Sequence, residues 1–145
     1  MSLGIFTLKD IKLNSFVDPL VPGVTCHVAS IEANLSLSDP SDSAVSCRQT
    51  GEITPEMIAR IKKGKTGEVV FEKSKSVFLK TLKIRRIFDE ESQTLMYLSY
   101  STRETSGSFK HSLSTIPLWG TAAYVAPHPK AEVMRPNDSS KTQSF

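Results

Sequence analysis

The fold is decided by two runs of sequence, Gly23-Val-Thr-Cys26-His-Val28 and Ser43-Ala-Val-Ser-Cys47-Arg-Gln49, which contain both cysteines of the chain. Each run is typical of a β-strand, and a turn rich in Ser, Asp and Pro separates them. We therefore predict one cross-strand disulfide between Cys26 and Cys47, with His27 on the opposite face of its strand. Because disulfides persist in oxidising compartments, the pair indicates a secreted, mainly β protein that matures in such a compartment.

Length and composition are those of one globular domain. The 145 residues are 39% hydrophobic and 23% charged, which is ordinary for such proteins. A net charge of +3, from 18 basic and 15 acidic residues, does not favour a nucleic-acid partner. No apolar stretch is long enough to cross a bilayer.

We expect a single domain over residues 1–126 and a polar tail over 127–145. Residues 1–4 do not read as a signal peptide, and we expect a native leader to have been removed.

One segment, residues 54–63, has the sequence features of a helix. Thr54 is a good N-cap, a proline follows at the first helical position, and Gly64 is placed to end the helix in the left-handed conformation. The helix is too short to be stable alone, so Ile58 and Ile61 should dock on a sheet.

The remaining segments read as strands. Residues 76–89 are the longest run, and four of their even positions are apolar, as are Val69 and Phe71 of the run before. We predict one buried face formed by Phe78, Leu82, Ile84 and Phe88, with Val69, Phe71, Ile58 and Ile61 nearby. The predicted fold is mainly β, an antiparallel sheet curled into a sandwich or open barrel with one short helix. An α+β two-layer arrangement is the alternative.

A basic pattern accompanies the long strand, at Lys80, Lys83, Arg85 and Arg86. Arg86 falls on the apolar face, so it lies either at the rim of the sheet or beside a buried acid. A structural ion pair is the leading interpretation. The alternative is an anion-binding site that uses Arg86 and Lys80.

Other chemistry-bearing residues form no recognisable catalytic or metal-binding pattern. His27, His111 and His128 do not pair at metal-ligand spacing. Asp89-Glu-Glu91 reads as a solvated hairpin loop, and Asp39 and Asp42 as turn residues. No nucleophile or phosphate-binding motif is present. We therefore expect no metal, no cofactor and no conventional active site.

Several runs together resemble the CreA family, named catabolite regulation protein A, small proteins of the bacterial envelope. They are Phe16-Val-Asp18-Pro19, Gly23-Val-Thr-Cys26, Asp39-Pro-Ser-Asp42-Ser-Ala-Val-Ser-Cys47-Arg-Gln49, Ile61-Lys-Lys-Gly64, Gly67-Glu-Val-Val-Phe71, 82–89, Tyr97-Leu-Ser-Tyr100-Ser101 and Ser114-Thr-Ile-Pro117. The chain departs from the family at Glu32-Ala-Asn-Leu35, where a glycine-rich stretch is typical, in a shortened N-terminal strand, and in the tail after Trp119.

The resemblance implies a periplasmic location, a disulfide, and an arginine at position 86 followed shortly by Asp89. It implies no activity. We expect a non-enzymatic binding or envelope-associated module, with an unknown protein or small ligand of the cell envelope as partner. A small hydrolase or lyase and a carrier of anionic ligands are the alternatives.

Overall fold

Two antiparallel four-stranded sheets and one short helix make up the part of the chain that the computed structural model describes, residues 2–6, 11–31, 43–75, 80–101 and 111–126. Sheet A has the order β1-β2-β3-β4 and sheet B the order β5-β6-β7-β8. The mainly β prediction is confirmed, while the 127–145 tail and Phe78 lie outside the described residues. The elements are β1 (Ser2–Phe6), β2 (Ile11–Val17), β3 (Val24–Ile31), β4 (Ser43–Gln49), α1 (Pro55–Arg60), β5 (Glu68–Lys75), β6 (Lys80–Asp89), β7 (Thr94–Ser101) and β8 (His111–Pro117).

The predicted disulfide is confirmed, and it joins neighbouring strands of sheet A. Cys26 and Cys47 are directly paired between β3 and β4, with 4.0 Å between their Cα atoms. The backbone N–H of Cys47 donates to the Ser114 hydroxyl at 2.8 Å, so it points away from β3. Such a pair without ladder hydrogen bonds brings side chains closest together, which suits a cross-strand bridge. Both cysteines are buried.

The two sheets pack face to face and meet at both sides. On one side the ring of Phe16 in β2 stacks on that of Phe71 in β5, with 4.7 Å between centroids. On the other side β4 packs against β8, and the N–H of Val45 donates to Ser112. Because side chains, not a backbone ladder, join the sheets there, the fold is a sandwich rather than a closed barrel.

Sheet B has two faces of different environment. Its inner face, turned to sheet A, carries Leu82, Ile84, Arg86, Phe88, Leu95, Tyr97 and Ser99, all buried. Its outer face carries Val69, Lys83, Arg85, Ile87, Met96, Leu98 and Tyr100, half-buried, and the exposed Leu113. The predicted burial of Leu82, Ile84 and Phe88 is confirmed.

Val69 was predicted to share the buried face with Phe71, and this is wrong. A bulge between these two residues shifts the register of β5 on β6. Val69 is paired with Arg85 and so lies on the outer face, while Val70 and Phe71 pack against the core. An inserted residue reverses the alternation on one side of the bulge, which period-2 reasoning does not detect.

The helix is shorter than predicted. Thr54 caps it, its hydroxyl accepting from the N–H of Met57, but the chain turns to an extended conformation at Ile61. Ile58 and Ile61 are buried, as expected. Leaving the helical path carries the Ile61 side chain into the core, so the helix ends before Gly64 can cap it. Within the described ranges no helix is long and apolar enough to span a membrane.

Candidate functional site

A charged cluster lies in the core between the two sheets. Its four members are Asp18, Glu68, Arg86 and Tyr97. Arg86 is 1% exposed, and Asp18 and Tyr97 are fully buried. Glu68 is the member that reaches solvent, since its side chain is 25% exposed. We call this set the buried charge cluster.

Two carboxylates bind the Arg86 guanidinium. Its Nη1 donates to Asp18 Oδ1 at 2.6 Å, and its Nη2 donates to Glu68 Oε1. This arrangement agrees with the structural ion-pair interpretation of Arg86. Asp89, which follows Arg86 in the sequence, is not its partner. Its carboxylate instead accepts from the hydroxyl and N–H of Ser92 in the β6–β7 hairpin.

Asp18 is the most densely bonded member of the cluster. Its Oδ2 accepts from the Tyr97 hydroxyl at 2.6 Å. Its Oδ1 accepts from the N–H of Leu20 at 3.0 Å and of Val21 at 3.3 Å, as well as from Arg86. Because Asp18 precedes Pro19 in the turn after β2, its carboxylate both closes that turn and links sheet A to sheet B.

Strand register and one glycine position the other members. Arg86 is paired with Glu68 on one neighbouring strand and with Tyr97 on the other, so the three side chains share a face. Gly67 precedes β5 with φ +54°, and a Cβ there would lie 1.8 Å from the Arg86 carbonyl oxygen. Only glycine lets β5 approach β6 this closely, which brings Glu68 onto Arg86.

The cluster carries a formal charge of −1, from two carboxylates and one guanidinium. Burial, followed by the neighbouring Asp18 carboxylate, raises the pKa of the Tyr97 hydroxyl well above its usual value. Tyr97 therefore stays protonated and donates to Asp18. Desolvating charges this deeply buried costs several kcal/mol, and close pairing offsets that cost, so each partner is needed to hold the others.

A second feature is an apolar groove of about 430 Å³ beside α1. Seven apolar residues line it together with one cation, one anion and one amide. They are Pro55, Ile58, Ala59, Phe88, Ala123, Val125 and Ala126, with Lys63, Glu90 and Gln93. We call it the α1 groove.

An aromatic pair, of which one ring is exposed and the other half-buried, lies next to this groove. Trp119, the single tryptophan of the chain, is 75% exposed and packs edge to face on Tyr124, with 5.1 Å between ring centroids. Gln93, in the wall of the groove, connects the two features. Its carbonyl accepts from the N–H of Leu118, and its Oε1 accepts from the N–H of Val125. The groove was not predicted from the sequence. A signal that could have indicated a binding surface there was the tryptophan two residues after the end of β8.

The histidines and turn carboxylates considered in the sequence, and Lys80, have the following places. His27 is exposed, on the opposite face from the buried Cys26, as predicted. His111 is exposed on β8. His128, Asp39, Asp42 and the side chain of Lys80 lie outside the described residues. In the ranges that are described, no group of three or more His, Cys, Asp and Glu side chains could hold a metal ion.

Comparison with known proteins gives one consistent result. The family model described as "CreA protein" matches residues 2–121. Three proteins named "Protein CreA", from Escherichia coli K12, O6:H1 and O157:H7, are each 42% identical over 115 residues. Each match covers 74% of this chain and 72% of the relative. No solved structure matches significantly.

Proposed function

The chain belongs to the CreA family, and we propose that it is an extracytoplasmic, non-enzymatic binding module of the bacterial envelope. The observation that carries this proposal is the α1 groove with Trp119 and Tyr124 at its edge. A large exposed aromatic ring such as that of Trp119, beside an apolar depression, is typical of binding surfaces rather than of ordinary protein surface.

The disulfide supports the proposed location. Cys26 and Cys47 are buried in the core and adjacent in the sheet. In the cytosol, glutathione and thioredoxin keep such thiols reduced. A buried bridge between β3 and β4 is consistent with folding in an oxidising compartment such as the periplasm.

The dimensions of the α1 groove suit an apolar group. Ligand sites usually enclose about 300–1,000 Å³ and combine an apolar lining with a few polar groups, and this groove falls at the lower end of that range. Its polar groups, Lys63 and Glu90, would orient a bound group, while Ile58, Phe88 and Val125 would supply the contact area. We propose that an envelope ligand or protein places one apolar group here.

The alternative of a small hydrolase or lyase finds less support. A general base must reach the proton that it removes. Asp18, the most enclosed carboxylate, is fully buried and already accepts hydrogen bonds from Arg86, Tyr97 and two backbone amides. An anion carrier centred on Arg86 would need an anion to displace Glu68, the member of the cluster that reaches solvent.

The single tryptophan provides a direct test. N-phenyl-1-naphthylamine, an uncharged apolar probe, should bind the α1 groove and accept excitation energy from Trp119. Ala59→Phe should abolish the transfer by filling the groove from an exposed helix position. Ala44→Phe, at an exposed site on β4, is the matched control and should leave it unchanged. Absence of transfer, or equal transfer in Ala59→Phe, would contradict the proposed binding site.

Location is tested separately by releasing the periplasm of the native bacterium by osmotic shock. We expect the protein in the released fraction, with Cys26 and Cys47 unreactive to a thiol reagent until reduced. Retention in the spheroplasts with two reactive thiols would contradict the proposed compartment.

A further inference from the structure

The outer face of sheet B carries a continuous apolar patch at its centre. Strand register places Leu98 between Arg85 and Leu113, and Met96 beside Ile87. Leu113 is 55% exposed, and the other apolar members are half-buried among their neighbours in the sheet. A sheet with one face in water normally alternates apolar and polar residues. Here β7 instead reads Leu95-Met-Tyr-Leu98, apolar on both faces.

Sheet A covers only the other face. The strand of sheet A that contacts β7 and β8 is β4. Its N–H groups at Val45 and Cys47 donate to Ser112 and Ser114, which alternate with the outward-facing Leu113 and so belong to the inner face. Among the helices and strands that the structure describes, these contacts leave the outer apolar patch to be covered by something else.

The charges around this patch differ between the two ends of the sheet face: one end is acidic and the other is basic. The outward-facing residues of β6 are, in order, Thr81, Lys83, Arg85, Ile87 and Asp89. Asp89 and the exposed Glu91 of the hairpin make that end of the face acidic, while Glu90 lines the α1 groove. The Ser92 hydroxyl and amide lower the pKa of the Asp89 carboxyl, which keeps it anionic. The opposite end is basic, although Glu72 opposes Lys83 there.

A face with one basic and one acidic end is complementary to itself. A two-fold axis that lies in the plane between two copies, perpendicular to the strands, sets the basic end of each copy over the acidic end of the other. The same rotation places Ile87, Met96, Leu98 and Leu113 of both copies against each other. We propose that the outer face of sheet B is the interface of a two-fold symmetric homodimer of this chain.

The size of the face sets the strength of the dimer. Four strands spaced about 4.8 Å apart, with about seven residues each rising about 3.3 Å, give a face of roughly 19 by 23 Å. Two copies then bury about 900 Å² in total, below the range of stable complexes. The dimer is therefore weak and reversible, and it forms at high local concentration.

The proposal is tested by sedimentation equilibrium of the full chain from micromolar to millimolar concentration. We expect a monomer–dimer equilibrium that weakens at about 1 M salt, where charge pairs are screened beyond about 3 Å. Leu113→Glu should raise the dissociation constant at least about tenfold, because it buries an unpaired charge. Val17→Glu is the matched control, since Val17 is 51% exposed on sheet A, and it should leave the dissociation constant unchanged.

Thermal unfolding of dilute protein checks that Leu113→Glu still folds. A chain that stays monomeric at millimolar concentration would overturn the proposal, as would equal effects of Leu113→Glu and Val17→Glu. So would a chain that dimerises only after removal of residues 127–145, because that outcome assigns the face to the C-terminal segment. Ala59→Phe should not alter dimerisation, which separates this interface from the α1 groove.

Discussion

The two faces of sheet B use similar side chains for different purposes. On the inner face, Arg86 is 1% exposed and binds two carboxylates. Its sequence neighbour on the outer face, Arg85, donates to the Thr66 carbonyl and the Tyr100 hydroxyl at the surface. Leucine and tyrosine likewise occur on both faces. What distinguishes the faces is therefore the sheet packed against them, and matched substitutions can measure that difference.

The largest expected effect is the difference in stability between alanine variants of the two neighbouring arginines. Arg86→Ala should destabilise the fold by about 3–5 kcal/mol, because it leaves the Asp18 charge buried without its cation. Arg85→Ala removes a partly exposed side chain and should cost less than about 1 kcal/mol. The free energy of unfolding in urea measures both. Similar losses in the two variants would mean that the buried charge cluster does not hold the sheets together.

A double variant provides a second test of the same explanation if Arg86→Ala does not fold. Asp18→Asn together with Arg86→Met removes both charges of the deepest pair, and should recover part of the stability lost in Arg86→Ala. If the double variant is less stable than Arg86→Ala, desolvated charge is not the cause of the loss.

The next effect in size compares two leucines. Leu82 is 1% exposed on the inner face, and Leu82→Ala should cost roughly 2–5 kcal/mol through lost burial and the cavity it leaves. Leu98→Ala on the half-buried outer face should cost less than half as much in the dilute monomer. Thermal unfolding at micromolar concentration provides the comparison. An equal cost at both positions would indicate that the outer face is covered within the monomer.

The smallest effect concerns the tyrosines at high pH. The pKa of Tyr97 is raised in the folded state, so its contribution to stability is complete below the unfolded value near pH 10. It falls by at most about 1.4 kcal/mol per pH unit as the pH rises above that value. In Tyr97→Phe, the free energy of unfolding should no longer show this fall at alkaline pH. In Tyr100→Phe, which changes a tyrosine of the outer face and retains Tyr97, the fall should remain. The free energy of unfolding in urea, measured for both variants between pH 9 and pH 11, tests this prediction.

Local sequence was enough to predict several elements. The inward positions Leu82, Ile84 and Phe88 follow from alternation, because side chains of a strand point to opposite faces in turn. The Cys26–Cys47 bridge follows from two strand-like runs joined by a polar turn. The start of α1 follows from Thr54 and Pro55, since a cap and a first-turn proline act within a few residues.

The partners of Arg86 could not be predicted from the residues around it in the sequence. An inward arginine at position 86 indicated a buried acid, yet Asp18 lies 68 residues away in the sequence, in a turn of the other sheet. The bulge at Val69 and the end of α1 at Ile61 likewise depend on packing against distant elements. The α1 groove is assembled from three separate stretches, within residues 55–63, 88–93 and 123–126.

The sequence by itself determined which residues alternate, where the chain turns and which cysteines can pair, because these depend on neighbours along the chain. The tertiary structure alone decided which carboxylates neutralise Arg86, which face of sheet B is covered and where a groove opens. Those outcomes depend on burial and on charge pairing between residues far apart in sequence, which no local pattern records.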